Sequence, residues 1–175
     1  NNNDYNLQKI SKVSTLIEKT YSQYTPINNT NPITNSTTLP VLLIHGHMED
    51  ASVWNKWVDL LKKDGISAYP ITFKQSDDGC GSATEHAKEL SNIIRQIKKE
   101  TGQNKVNIVA HSKGGLDARV YLANNTTKDV ANLVMIGTPN AGSPLAESCE
   151  VGTPGVYDLR PGAAATEVKM NPNTK

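Results

Sequence analysis

The sequence predicts an α/β domain, a mostly parallel sheet flanked by helices, and three observations carry that prediction. Short apolar runs rich in β-branched residues, such as Val41-Leu42-Leu43-Ile44 and Val106-Asn107-Ile108-Val109-Ala110, recur between segments with helical periodicity. The connecting segments are about ten to twenty residues long, the length of a parallel crossover rather than of a hairpin turn. Within residues 106–123, a strand, a sharp glycine-rich turn and a helix follow one another directly, with Ser112 at the apex.

The elements follow in order. Residues 5–24 place Leu7, Ile10, Val13, Ile17, Tyr21 and Tyr24 at helical spacing, predicting an amphipathic helix that packs on the domain. Residues 25–39 are polar, carry Pro26 and Pro32 and lack periodicity, so residues 1–39 form an N-terminal helix and linker. The core spans residues 40–138. Its first strand is Pro40 to Ile44, a continuous apolar run suited to burial on both faces. A helix over 51–63 sets Val53, Trp54, Trp57, Val58 and Leu61 on one face and stops at Asp64-Gly65. Residues 66–73 form the next strand, and Asp77 to Gly81 a loop. Ser82 or Thr84 caps a helix running to Thr101, with Ala83, Ala87, Leu90, Ile94 and Ile97 as its buried stripe. The elbow strand covers 105–110, its helix 113–123 with Leu116, Val120 and Ala123 inward, and a further strand 132–137. Residues 139–175 are rich in Ala, Gly, Ser and Pro; they read as an irregular lid, with a short helix at 163–170. No internal repeat is visible.

Composition narrows the partners. The chain has 175 residues, 20% of them charged, and a formal net charge of +1, which gives no field for a polyanion. No basic cluster with interleaved aromatics points to nucleic acid. The apolar runs fall far short of the roughly 20 residues needed to cross a bilayer. Asn1 rather than Met stands first, as expected of a processed or trimmed start. Asn-x-Thr sequons begin at Asn28, Asn35, Asn124 and Asn125, a weak argument for secretion.

Cys80 and Cys149 are too few for a disulfide framework, and their spacing excludes a local metal knuckle. Both fall in loops expected at the carboxyl-end face of the sheet. A bridge between them would tie the lid base to the body and suit an oxidising compartment; two separate free thiols are the alternative.

In a parallel sheet, ligands bind beyond the carboxyl ends of the strands. Three segments land there: His45-Gly46-His47, the turn around Ser112, and Thr138-Pro139-Asn140-Ala141-Gly142-Ser143. The turn Ala110-His111-Ser112-Lys113-Gly114 has small residues two positions either side of the serine, as a nucleophile elbow requires for strand and helix to approach. The following helix aims its positive N-terminal end at the serine oxygen. A serine capping an ordinary helix is the plainer reading, and the convergence of the three loops weighs against it. His45 and His47 form an H-x-H pair without a third ligand nearby, so no metal is assigned, and no cofactor is called for. His111 reads as a hydrogen-bonded structural residue pointing off the elbow, and His86 as packing. Asp117 and Arg119 read as structural.

At these residues the sequence resembles the α/β-hydrolases of the bacterial and archaeal lipase kind. The resemblance rests on Leu43-Ile44-His45-Gly46, on Ala110 through Arg119, and on Ile136 through Ser143, with a weaker match at Asp158-Leu159-Arg160-Pro161-Gly162-Ala163-Ala164-Ala165. It implies an α/β-hydrolase fold and a serine hydrolase acting on carboxylic esters, lipids foremost, with Ser112 as nucleophile. It also implies an oxyanion hole from the backbone N–H groups of Lys113 and His47; because both roles are main-chain, the two side chains are not required for them. A thioesterase, polyester hydrolase or acyltransferase uses the same parts, and a binding module of the same fold is the non-enzymatic alternative. A secreted or extracellular location accompanies the lipase reading.

The triad order in this fold is serine, acid, histidine, yet His45, His47, His86 and His111 all precede Ser112. Of the later carboxylates, Asp129, Glu147, Glu150, Asp158 and Glu167, Asp158 is the least poor acid. The expectation is therefore that the triad acid and histidine are absent from these residues. A second polypeptide or a further C-terminal segment would complete the fold and the site.

Overall fold

The computed structural model describes residues 38–73, 81–148 and 154–161. All of them fall within one compact unit, Ile33–Lys175. The helix expected at 5–24, both cysteines and the helix expected at 163–170 lie outside the described residues.

Four parallel strands form one sheet in the order β2-β1-β3-β4, with β1 at Val41–Ile44, β2 at Ala68–Ile71, β3 at Val106–His111 and β4 at Val130–Ile136. Every residue of β1 is buried, as its unbroken apolar run requires. Alternation then divides its side chains between two layers. Val41 and Leu43 pack with Trp54 and Val58, joined by Leu61, Val109 and Ile136. Trp54 ends a 3-10 turn at Ala51–Trp54, and Val58 lies in α1, Asn55–Lys63. Ile44 faces the other layer, where it meets the first turn of α3, Lys113–Asn124. Helices thus cover both faces, and the expected α/β architecture is present.

The long helix α2, Ala83–Thr101, shows how closely local sequence controls a boundary. Ser82 accepts from Glu85 N–H and the Glu85 side chain returns to Ser82 N–H, a reciprocal capping box. Gly102 closes the other end in the left-handed conformation that glycine tolerates. The stripe Ala83, Ala87, Leu90, Ile94 and Ile97 is buried as predicted.

Other expectations need correction. The helix at 51–63 begins as a 3-10 turn, and its Val53 and Trp57 are 45% and 43% exposed rather than inward. Ala123 of α3 is exposed, and Tyr121 takes the buried place instead, its hydroxyl donating to Asp129. Among the described residues after 138 there are two short helices that the sequence pattern did not show, α4 at Leu145–Ser148 and α5 at Pro154–Leu159.

The strand order places β1 beside β3, while the strands that follow them, β2 and β4, lie on opposite sides. That is a topological switch point, and the crevice outside its carboxyl ends is where such sheets bind ligands. Ile44 and Ala110 are register partners at the end of these strands. His45-Gly46-His47 and Ser112 therefore emerge next to each other.

Candidate active site

Ser112 follows β3 at φ 50°, ψ −125°, a left-handed backbone that a side chain rarely adopts. Such strain persists only where the surroundings enforce it. Here Ser112 N–H donates to Ile136 O at 2.8 Å, and Gly115 N–H donates to Ser112 O at 3.1 Å. The turn admits no larger neighbours. A Cβ on Gly114 would strike His45 O and lie 2.8 Å from Ile44 Cγ2; one on Gly115 would strike the Thr138 side chain. Ala110 is fully buried. These contacts explain the small residues around the serine, and they bring all three sequence-predicted loops to it.

The loop after β1 is held against this turn. A Cβ placed on Gly46 would lie 3.0 Å from Ser112 Cβ. Gly46 N–H donates to Glu49 Oε2 at 2.7 Å, so that amide is already engaged. His47 comes next, half-buried, and Met48 beyond it has φ 56°. On the elbow side, Lys113 is the first residue of α3, where a backbone N–H has no intrahelical acceptor.

The four histidines have distinct surroundings. His45 is buried; its Nε2 accepts from Phe73 N–H at 3.2 Å, so Nδ1 carries the hydrogen and donates to Gly46 O at 2.8 Å. Burial holds its pKa below the usual imidazole value. With both nitrogens engaged, His45 is a strut of the loop, not a ligand. His86, read from sequence as packing, stacks on Phe73 with centroids 3.8 Å apart and also donates from Nδ1 to Asp117 Oδ2 at 2.9 Å. His111 pairs through Nδ1 with Glu49 Oε2 at 2.8 Å, as a hydrogen-bonded structural histidine should.

The Lys113 side chain has a structural place of its own. It is 1% exposed, and its Nζ donates to Asp117 Oδ1 at 2.7 Å. Burial pushes the Asp117 carboxyl up, but the Lys113 ammonium and the His86 hydrogen bond outweigh it, and the carboxyl stays below its usual range. The Lys113 side chain, not required for the oxyanion role, is thus half of a buried ion pair beneath the elbow. Arg119 donates to Asn140 Oδ1 at 2.9 Å, fastening α3 to the loop after β4.

Asp158, the least poor acid of the sequence reading, is fastened to the body. Its carboxylate accepts from Ala83 N–H at the start of α2, which fastens α5 to the body, and burial raises its pKa. Asp129 lies with Tyr121 and Lys98, away from the elbow end of β3. Glu150 and Glu167 are outside the described residues. The sequence reading overlooked Glu49; an acidic residue three positions after a turn glycine, able to accept that glycine's N–H, was the available signal.

A strained serine between a parallel strand and a helix, at the switch point of a sheet covered on both faces, defines an α/β-hydrolase elbow. Residues 40–171 match the palmitoyl protein thioesterase family, and the chain belongs to that family. A triacylglycerol lipase of Pseudarthrobacter phenanthrenivorans is 35% identical over 120 residues, covering 64% of this chain and 36% of that protein. One of Burkholderia plantarii is also 35% identical over 120 residues, covering 64% of this chain and 32% of that protein. The chain thus spans about a third of the length of these curated relatives. The mature form of a Bacillus licheniformis lipase shares the fold with a TM-score of 0.67 at 23% identity, over 76% of this chain and 59% of that one.

Proposed function

We propose that this chain carries the nucleophile and oxyanion hole of a serine hydrolase that cleaves carboxylic esters of lipid or other acyl groups. The observation that carries the reading is the backbone of Ser112, held at positive φ where the loop after β1 packs against it. Its Oγ attacks the acyl carbonyl carbon and gives up its proton to a base. The carbonyl oxygen takes up negative charge beside the N–H groups of Lys113 and His47. The alcohol leaves with a proton, and water releases the acyl group from Ser112. One such N–H is worth about 3 kcal/mol, because it meets charge that exists only in the transition state.

The base is not assigned within these residues. His45, His86 and His111 are committed to Phe73, Asp117 and Glu49. A histidine and an acid from a further segment or a second polypeptide complete the proposal. Its other parts are a lipid substrate, a secreted location and a bridge between Cys80 and Cys149, which titration of thiols in the denatured, unreduced protein tests directly.

The family match favours a second reading, in which the acyl bond is a thioester. Matched oxygen and sulfur esters of the same acyl chain separate the two. The test of the common mechanism is a fluorophosphonate applied to the protein expressed from its complete reading frame. One adduct on Ser112, with hydrolysis lost in Ser112→Ala, is expected. Retention of hydrolysis in that variant overturns the serine mechanism, and binding of acyl ligands without turnover would favour the non-enzymatic module.

A further inference from the structure

We propose that Glu49 and His111 are positioning residues, a clamp that holds the oxyanion loop Gly46-His47 in register with Ser112. The inference rests on the hydrolase reading above, and it assigns a task to two ionisable residues beside Ser112 that the mechanism leaves unused.

One carboxylate oxygen does the joining. Glu49 Oε2 accepts from Gly46 N–H at 2.7 Å and from His111 Nδ1–H at 2.8 Å. The loop is thereby tied to the residue immediately before the nucleophile. A single point, the position a Cβ would take on Gly46, lies 2.8 Å from Glu49 Oε2, 3.0 Å from Ser112 Cβ and 3.2 Å from His111 Nδ1. Loop, clamp and nucleophile meet there.

The loop needs such a tether. His47 sits in a tight turn closed by a long Glu49 N–H to Gly46 O bond of 3.4 Å, and Met48 takes φ 56° with its side chain 75% exposed. Left-handed backbone at a bulky residue costs on the order of 1–3 kcal/mol and persists only if surrounding contacts enforce it. The exposed Met48 side chain supplies little packing; the carboxylate bonds supply the constraint. Burial raises the Glu49 pKa, but the bonds from His111 and Gly46 outweigh it, so the carboxyl is ionised and accepts from both.

A hydrogen-bonded pair of this exposure is worth little to stability. Its value is geometric, since an oxyanion donor displaced by about an ångström no longer meets the developing charge. A clamp therefore acts on rate and not on folding.

The test compares Glu49→Ala, Glu49→Gln and His111→Ala in the protein expressed from its complete reading frame. Hydrolysis of p-nitrophenyl butyrate is normalised to sites titrated with a fluorophosphonate. Exchange of the amides of residues 45–48 is followed by mass spectrometry. In Glu49→Ala, kcat per titrated site should fall by on the order of 10- to 100-fold with KM within about twofold, and those amides should exchange faster. Glu49→Gln, whose amide oxygen can accept from both Gly46 N–H and His111 Nδ1–H, should recover most of the rate. His111→Ala, which leaves the Gly46 bond, should fall between. Unchanged turnover per site in Glu49→Ala, or equal losses in the Ala and Gln variants, overturns the clamp. So does unchanged amide exchange, and that measurement decides even if the wild-type protein shows no Ser112-dependent hydrolysis, a result that would count against the hydrolase reading itself.

Discussion

The residues on either side of Ser112 each carry an ionisable side chain, and each meets a carboxylate, yet the two pairs sit in different media. Lys113 and Asp117 have side chains 1% and 2% exposed; His111 and Glu49 are 40% and 30% exposed. On the buried side, attraction is strong but both charges have lost their water, so each depends on the other. On the half-exposed side, water screens the pair and replaces either partner at small cost. The buried pair, with His86 of α2 on the same carboxylate, therefore ties the elbow helix to α2, whereas the half-exposed pair adjusts a loop.

That comparison breaks most visibly on the buried side. Asp117→Ala leaves the Lys113 ammonium without its counter-charge and His86 Nδ1 without its acceptor. The expected loss is about 3–5 kcal/mol, read as a shift of the urea midpoint. Removing both charges together, as in Lys113→Met with Asp117→Leu, should recover most of it, because the cost lies in the orphaned charge. If the single and double variants are equally unstable, the pair is not the element that holds this side.

Gly114→Ala acts next. The new methyl meets His45 O and Ile44, both parts of the central strand or its end, and neither can yield as a flexible side chain would. Overpacking of this kind costs about 1–3 kcal/mol. It should also slow fluorophosphonate labelling of Ser112, because helix and strand must separate around the elbow.

Much of this arrangement was legible in the sequence, and the limits have physical causes. The strands themselves and the convergence at Ser112 follow from unbroken apolar runs and from the small residues at 110 and 114, which are local signals; the order of the strands in the sheet does not. Ser82 and Gly102 announce the ends of α2 for the same reason. The burial of Lys113 was not read from the sequence. Its i,i+4 spacing to Asp117 is visible there, but His86, which shares that carboxylate, comes from another helix, a contact that no single periodicity encodes. Glu49 was missed similarly, since its partners are a backbone amide and a histidine 62 residues away. The short helices α4 and α5 are too brief for a pattern to emerge from their residues.

Acid should sharpen the contrast. Burial lowers the His45 pKa from the ordinary imidazole value of 6.5, so the folded state resists a proton that the unfolded state accepts. Stability should then fall as pH drops below that value, by at most about 1.4 kcal/mol per pH unit for one group, down to the folded pKa. Asp117 and Glu49 have depressed values, so their contributions are present above the unfolded carboxyl range and are lost as pH falls through the folded ones. Asp158 has the opposite sign, because protonation relieves its burial. Urea midpoints between pH 7 and 5 should therefore decline in the wild-type protein. A flat profile would mean that His45 takes up its proton as readily folded as unfolded.

The smallest expected effect is the stability change in Glu49→Ala, and it is the most informative because its rate effect is expected to be large. The side chain is 30% exposed and its partner His111 40%, so the lost side-chain pairing is worth at most about 1 kcal/mol. Gly46 N–H loses its acceptor as well, but the vacated site lies open enough for water to take it, which limits the net penalty of that bond to a similar size. The urea midpoint should thus move by about 1 kcal/mol or less, several-fold less than for Asp117→Ala. A loss of several kcal/mol would show that Glu49 supports the fold as Asp117 does. The two sides of Ser112 would then be alike, and a fall in turnover could be ascribed to unfolding instead of to a displaced oxyanion loop.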